Sequence, residues 1–438
     1  MFLRLNMPLI PMNQSPRLCQ LSVLASLLLG APLGLAQPQG LTLEQAVQLS
    51  TERSASNKAG VASVQASREA AVKADQLPDP MLKLSVENVP TDGPGRWSTT
   101  RDFMTMRRVG IEQQWVSSDK RLARSDRAQR AVEMEEANYL ANMAKVREQT
   151  AKAWISVWYT QRALAFSKAI ENAAAEDAVA IQAAHRGAKS TASEVTQAQL
   201  VLLQAQDTVR KSEQELRTAR QALTRWITVP VDSVSDSIPP LVSHVPNLPV
   251  ADLEKYHPMA LAARRAVTLA DAETTLASRE RRPDWAVEAA FSQRGSQYSN
   301  MVSVGVSIPL PVNRSQRQDR DVAEKSALAT RARLQYEDAL RELRTEIETL
   351  SATLASVNER VSLLKSQQLP SVNQQVELAT AAYRSGTGSL SAVFNANKML
   401  LEKQLQIADL EKEAALTWAS LEYHLIPHEM AAISKAKR

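Results

Sequence analysis

The side chains best suited to chemistry are few and scattered along the 438 residues. The single cysteine, Cys19, lies near the N-terminus, so the rest of the chain has no thiol for a nucleophile, a disulfide or a thiolate metal site. Of the histidines, only the last two are close, and Pro427 lies between them: His185, His244, His257, His424 and His428. This distribution predicts no catalytic site, no metal site and no cofactor.

The first 36 residues are typical of a secretory signal peptide. Arg4 and Arg17 precede the apolar stretch 18–29 and give the N-terminus a positive charge. Small residues at 34 and 36 offer a cleavage site. Cys19 precedes that stretch rather than following it, which argues against a lipoprotein anchor. A membrane anchor is the alternative, but the stretch is short for a span. We therefore expect an exported chain that is not lipidated.

The composition excludes several large classes of protein. The 12 glycines in 438 residues are under half of the usual share of about 7%, which disfavours enzymes with glycine-rich loops. With 44% hydrophobic and 23% charged residues, the chain is too polar for a bundle of membrane-spanning helices. The sequence pI of about 9.2 is basic, but acidic residues are interspersed and the signal peptide directs export, so no nucleic-acid partner is expected.

Helix-breaking residues leave two long gaps. No proline occurs between residues 95 and 230, and between residues 311 and 427 the only proline is Pro370. Gly187 in the first gap, and Gly386 and Gly388 in the second, are the glycines that interrupt these stretches after residue 110. The pattern predicts two long helical hairpins with their turns at these glycines.

The two halves of the chain resemble each other. The tetrapeptide at 183–186 recurs at 381–384, and apolar positions upstream recur at an offset of 197 residues. This duplication predicts a first repeat at 37–229, a linker at 230–249, a second repeat at 250–426 and a tail at 427–438.

Each repeat is predicted to begin with a helix, at about 42–76 and about 250–281. Two alternating segments follow in each repeat, at 81–89 and 106–115 and then at 285–291 and 301–308. Alternation of apolar and polar residues is typical of a membrane-barrel strand, but soluble hairpins show the same pattern.

The long helices carry a heptad seam in the second repeat. Its apolar residues are spaced alternately by four and three positions: Tyr336, Leu340, Leu343, Ile347, Leu350, Leu354, Val357, Val361 and Leu364. Such spacing predicts helices that pack side by side over a great length. The stretch 120–185 alone would extend about 100 Å as a helix, which predicts a rod or stave rather than a globular core.

Four strands are too few to close a barrel, since the smallest closed barrels have about eight. A membrane allows no unpaired strand edge, so chains inserted there must share a barrel. Two chains would supply eight strands around a filled interior, whereas three would supply twelve and leave a channel. If the strands enter a membrane, a trimer is therefore expected.

Over residues 41–426 the chain resembles the TolC family of trimeric outer-membrane efflux ducts. The resemblance rests on the start at 41–46, on the repeated helix–strand–strand–helix–helix plan and on the turn at 382–389. Three segments are similar to the CzcC-like heavy-metal branch: 78–88, 114–124 and 309–317. Ser118, Asp119, Ser315 and Arg317 depart from that branch's pattern.

The resemblance implies a mainly helical fold with a small β part. Long antiparallel, coiled-coil-like helices would form the staves of a periplasmic helical barrel, and four transmembrane strands per chain would form a twelve-stranded β-barrel in a homotrimer. The implied partners are outer-membrane lipid, a periplasmic adaptor (membrane fusion) protein and an inner-membrane resistance-nodulation-division pump. The duct would be passive, with no catalysis, and would carry heavy-metal cations from the periplasm outward.

Two groups of residues are candidates for function. At the periplasmic tip, the glycines are expected at left-handed or close-approach positions, and the equivalent positions just beyond them could line a gate: Gly187, Glu194, Gln197, Gly386, Gly388, Ala392 and Asn395. The family's better-known members have aspartates at the last two positions, so Glu194 is the remaining candidate for a ring of carboxylates, with a solvated helix surface as the alternative. The strand–helix junctions supply the second group: Asp119, Lys120, Arg121, Arg124, Asn313 and Arg314. In the first half, Asp119, Lys120, Arg121, Arg124 and Asp126 predict a salt-bridged collar, with a solvated face as the alternative.

Other functions stay open at this point. A duct of the same family for organic drugs or secreted polypeptides would have the same sequence features. A periplasmic coiled-coil adaptor or scaffold is a different class, and it would lack strands that enter a membrane.

Overall fold

The structure, a computed structural model, describes residues 40–188, 190–243, 245 and 255–425. The predicted signal peptide, the tail at 427–438, His244 and His428 lie outside the described residues. In the described part of the chain, no helix combines the length and apolarity needed to cross a membrane.

The same order of elements occurs twice along the described residues. The first half has α1 (Leu43–Arg53), α2 (Ala55–Val72), β1 (Met81–Glu87), β2 (Met106–Trp115), α3 (Ser118–Arg186) and α4 (Ala192–Ile227). The second half has α5 (Pro258–Glu280), β3 (Trp285–Gln293), β4 (Met301–Ser307), α6 (Gln318–Leu363), α7 (Leu369–Arg384) and α8 (Leu390–Tyr423).

The single helix expected at 42–76 was wrong, because the chain breaks at Ser54. The extended backbone of Ser54 ends α1, and its hydroxyl accepts a hydrogen bond from the Asn57 N–H at the start of α2. Thr42 and Gln45 close a reciprocal capping box at the start of α1. The second-repeat helix, expected from about 250, begins at Pro258, where proline suits the first helical turn.

The long helices are confirmed. Helix α3 has 69 residues and therefore extends about 100 Å. In the second half, a π-helical turn at Leu364–Gln368 joins α6 to α7 just before Pro370. The Leu369 N–H there donates to the Leu364 carbonyl, so the helix widens locally and continues through a proline that cannot donate.

The predicted heptad seam of α6 is also confirmed. Leu343, Ile347, Leu354 and Val357 are buried, as is Leu364 in the π turn, and the remaining seam residues are half-buried. The seam belongs to a larger core in which α1, α3, α4, α6 and α8 meet. Trp154 is a fully buried member of this core, and its indole N–H donates to the Leu41 carbonyl at 2.7 Å.

The four strands form one antiparallel sheet in the order β1-β2-β3-β4. The two central strands come from different halves of the chain, with Trp115 opposite Trp285 and Val109 opposite Phe291. The sheet therefore joins the two halves, and β1 and β4 are its edges.

Candidate functional site

One face of the sheet is apolar and open to the surroundings. Leu84, Val109, Phe291 and Val302 lie opposite one another across the four strands, and the neighbouring row is Leu82, Ile111, Ala289 and Val304. The large side chains of these rows are exposed, up to 76% at Val302. Contiguous apolar surface of this kind marks contact with a membrane or a partner, which disfavours the soluble-hairpin alternative.

The opposite face of the sheet carries a network of ion pairs among small residues. The Lys83 ammonium contacts the carboxylates of Glu112 and Glu288, the latter at 3.1 Å. Arg108 bridges Glu288 at 2.5 Å and Glu87 at 3.4 Å. The positions between them are small: Ser85, Gly110, Ala290, Ser292, Ser303 and Gly305. One face is therefore suited to lipid and the other to water.

Two tryptophans mark the end of the sheet nearest the helices. Trp115 and Trp285 form the last row of β2 and β3 and are about half exposed on the apolar face. Tryptophan is enriched where the apolar band of a membrane strand meets the polar interface. The sheet edges β1 and β4 each pair with one described strand only, so their outer backbone groups are available to another strand.

The junction beneath the tryptophans is bound by ion pairs between the two halves. Lys120, at the start of α3, reaches Asp284 before β3 at 2.7 Å, and its side chain is only 5% exposed. Arg124 lies 3.5 Å from Glu280, and Arg121 donates to the Asp75 carbonyl at 3.3 Å.

The remaining junction candidates also make local contacts. Asp119 lies between Arg279 and Arg282, at 3.7 and 3.3 Å. In the second half, the Asn313 carbonyl accepts from the Gln316 N–H, and Arg314 pairs with Asp319 at 3.3 Å. The junction candidates thus make contacts among the helix ends and the short segments that adjoin the strands.

The structure corrects one of the three tip glycines. Gly187 has φ −88°, so the expected left-handed conformation at this residue was wrong; the positive φ of 55° falls on Ala188. Gly386 has φ 78°, as expected for a left-handed turn. A Cβ on Gly388 would lie 2.9 Å from the Ala382 Cβ, so glycine is needed there for close approach.

Glu194 has a structural role that the sequence reasoning missed. Its carboxylate accepts from the Thr191 backbone N–H at 2.8 Å, and the Thr191 hydroxyl accepts from the Glu194 N–H, which forms a capping box on α4. In the second half, the Ser389 hydroxyl accepts from the Ala392 N–H at the start of α8. The Ala392 methyl group cannot accept a hydrogen bond from the Ser389 N–H in return, so no capping box forms. The T-x-x-E spacing was the signal for the cap on α4. Gln197, Ala392 and Asn395 are exposed.

A contact between buried His257 and half-buried His424 was also missed, because the two residues are far apart in the chain. The rings of His257, before α5, and His424, after α8, meet edge to face with centroids 5.6 Å apart. The His424 Nε2 lies 3.4 Å from Glu148, which also pairs with Lys152 at 2.5 Å, and the His424 Nδ1 lies 4.0 Å from Glu346. Within the described ranges, no three His, Cys, Asp or Glu residues are grouped to hold a metal ion.

The pKa values of the two histidines are shifted in opposite directions. The hydrogen bond with Glu148 raises the pKa of His424 above its usual value. Burial, reinforced by His424, lowers the pKa of His257 to about 4, and both ring nitrogens of His257 are buried without a hydrogen-bond partner. His257 is therefore held neutral inside the protein.

The neutral state of His257 predicts a loss of stability in acid. Its pKa is about 4 in the folded chain against 6.5 in the unfolded chain, so the unfolded state binds more protons between these values. We expect the stabilisation to decrease as the pH falls from about 6.5, by about 1 kcal/mol per pH unit. His424, with its raised pKa, contributes fully below pH 6.5 and loses its contribution only as the pH rises.

Unfolding temperatures of the purified protein across this pH range test the prediction. His257→Gln should flatten the pH dependence, whereas the matched change at the exposed tip residue, His185→Gln, should leave it as in the unmodified protein. An equal slope in His257→Gln and the unmodified protein would contradict the assignment.

Comparisons with known proteins agree with this arrangement. The model of a family described as outer membrane efflux protein matches residues 252–425. The chain is similar to the cobalt-zinc-cadmium resistance protein CzcC of Cupriavidus metallidurans, with 25% identity over 377 residues, covering 84% of this chain and 85% of that protein.

Solved structures share the fold. The chain superposes on CusC, described as forming a transmembrane channel, with a TM-score of 0.74 and 16% identity, over 86% of this chain and 90% of that one. It superposes on the outer membrane protein VceC of Vibrio cholerae with a TM-score of 0.70 and 17% identity, over 86% and 94% of the two chains.

Proposed function

The chain belongs to the outer membrane efflux protein family, and we propose that it serves as a passive exit duct for heavy-metal cations. It is an efflux channel of the outer membrane that extends into the periplasm. The family's members are channels and not enzymes, and we assign no catalytic step to this chain.

The observation that carries the proposal is the contrast between the two faces of the sheet. The apolar face suits the acyl chains, and the ion-paired face suits a water-filled bore. Edges β1 and β4 must then pair with other chains, because a membrane tolerates no unpaired backbone. Three copies would give twelve strands, and the periplasmic staves would be the hairpin of α3 with α4 and the hairpin of the joined helices α6 and α7 with α8. The two repeats, 37–229 and 250–426, would each contribute one pair of strands and one long hairpin.

A metal substrate is supported by the similarity to a relative named for cobalt, zinc and cadmium resistance. Deletion of the gene should lower the tolerated concentration of at least one metal in a panel of cobalt, zinc, cadmium, copper and silver salts, and the intact gene should restore it. Unchanged tolerance to every metal, with increased sensitivity to organic drugs, would instead favour the alternative duct for organic solutes.

The proposed partners follow from the same assignment. A passive duct needs an inner-membrane pump to supply work, and a periplasmic adaptor to join the two. The tip turns around Gly187 and Gly386 are the proposed docking region, because they lie at the ends of the long hairpins. Recovery of the protein from the soluble periplasm rather than the outer membrane would favour the adaptor or scaffold alternative.

Glu194 allows a test of the tip as a cation-selective gate. Three copies would place three carboxylates near one constriction, which attracts cations. We expect Glu194→Gln to reduce the cation preference measured from reversal potentials of single channels in a salt gradient. Glutamine can keep the capping box, so this variant removes the charge and preserves the cap.

Thr191→Ala is the matched control, because it weakens the cap and keeps the carboxylate. Unchanged selectivity in Glu194→Gln would leave Glu194 with its capping role alone. A loss of selectivity in Thr191→Ala but not in Glu194→Gln would have the same meaning.

A further inference from the structure

The segment that follows β4 continues the apolar pattern of the strand beyond the sheet. Val302, Val304 and Val306 lie on the apolar face, and the same alternation continues through Ile308, Leu310 and Val312. These last three side chains are 53%, 80% and 93% exposed. The prolines between them, at 309 and 311, lack a backbone donor, so this segment cannot simply extend the strand ladder.

The equivalent junction in the first half is built differently. After β2, Val116 is only 1% exposed, and α3 begins two residues later at Ser118. In the second half every residue from 301 to 317 is exposed. The apolar side chains at 308–312 therefore have no cover from the described part of their own chain.

The charges next to this segment are predominantly positive. Asp319 pairs with both Arg281 and Arg314, at 3.2 and 3.3 Å. The neighbouring Arg282 shares Asp119 with Arg279. Because each carboxylate serves two guanidinium groups, each of these clusters keeps an excess positive charge.

The surrounding residues indicate where the segment lies. Ile308 follows Ser307, which is opposite Ala286, so it comes level with the Trp285 row that marks the membrane interface. Apolar residues beside exposed arginines match the chemistry of a phospholipid leaflet, with acyl chains next to anionic phosphates.

We propose that residues 308–312 form an interfacial anchor in the inner leaflet of the membrane, with Arg282 and Arg314 binding the phosphates of anionic phospholipids. This inference rests on the proposed function, because it requires the apolar face of the sheet to face lipid. It adds a specific lipid contact, made by the second half of the chain only.

Short-range quenching by lipid tests the position of the anchor. In Cys19→Ser protein, single cysteines at Val304, Leu310 or Leu334 are labelled with the fluorophore NBD. The full chain is then reconstituted in vesicles of phosphatidylethanolamine and phosphatidylglycerol with brominated acyl chains. Leu334, an exposed residue of α6, is the control outside the membrane.

We expect the probes at 304 and 310 to be quenched alike and the probe at 334 to stay bright. If 304 is quenched and 310 is as bright as 334, the anchor is overturned: the segment is then in water or covered by a second copy of the chain. If 304 itself is not quenched, the proposed membrane orientation fails, so the two failures are distinguishable.

The phosphate contacts have a separate test with the probe at 310. Brominated phosphatidylglycerol should quench it more strongly than brominated phosphatidylcholine at the same fraction. Arg282→Gln with Arg314→Gln should reduce this preference several-fold, since each arginine near an anionic surface adds to the attraction for the phosphates. The matched control is the double variant Arg68→Gln with Arg333→Gln. These arginines lie on α2 and α6, and each also pairs with a carboxylate. An undiminished preference in the Arg282/Arg314 variant would overturn the headgroup assignment.

Discussion

Replacing Asp284 by alanine should lower the free energy of unfolding by about 3–5 kcal/mol, because it leaves the Lys120 ammonium buried without a counter-charge. The two groups are 2.7 Å apart and their side chains are 5% and 15% exposed, so water cannot replace the lost carboxylate. The pair also joins α3 of one half to the residue just before β3 in the other. The expected result is a clear fall in the unfolding temperature of the detergent-solubilised protein. The loss of the helical circular dichroism signal on heating measures that temperature.

Two controls separate the buried charge from a general effect of mutation. The double variant Lys120→Met with Asp284→Ala should recover much of the loss, since it removes the stranded charge as well. Asp271→Ala breaks the exposed pair with Arg333, also short at 2.6 Å, and should cost less than about 1 kcal/mol. Equal effects of Asp284→Ala and Asp271→Ala would show that the junction pair is not buried in solution.

Trp154→Ala should destabilise the protein by about 3–5 kcal/mol through the cavity that it opens in the core. The side chain is 0% exposed, at the point where α1, α3, α4, α6 and α8 meet. Its indole N–H also donates to the Leu41 carbonyl, so the variant leaves that acceptor unpaired as well. Thermal unfolding measured by circular dichroism is the appropriate readout.

Trp154→Phe is the graded comparison, because it keeps most of the volume and loses only the hydrogen bond and part of the ring. It should have a smaller effect than alanine. Trp97→Ala, at a loop residue that is 65% exposed, should change the unfolding temperature little. If alanine at 154 were tolerated as well as alanine at 97, the core around Trp154 would not be packed as described.

Patterns with short periods were readable from the sequence. The seam residues of α6 recur every three or four positions, and Leu343, Ile347 and Val357 are indeed buried, because a helix brings such positions to one side. The strands could be predicted from alternation: all four begin where expected and β2 also ends there, while β1, β3 and β4 end one or two residues from the expected position. The T-x-x-E spacing at Thr191 is equally local, and it predicts the capping box that Thr191 and Glu194 form.

Features that depend on distant residues were not readable. No local pattern predicts that β2 pairs with β3, or that Lys120 contacts Asp284, which is 164 positions away in the chain. The contact of His257 with His424, and that of His424 with Glu148, likewise join residues that are far apart in the chain. The chain bend at Ser54 and the positive φ at Ala188 also depend on how the helices pack, since neither serine nor alanine demands those conformations.

The sequence by itself determined the long helices and the four alternating strands, because each depends on residue types repeated at fixed short intervals. Only the tertiary structure decided which strands pair, which charges are buried together and which apolar residues stay uncovered after β4. Those outcomes depend on contacts between segments far apart in the chain. Such contacts arise when two elements bury a shared surface, and that surface exists only once both have folded.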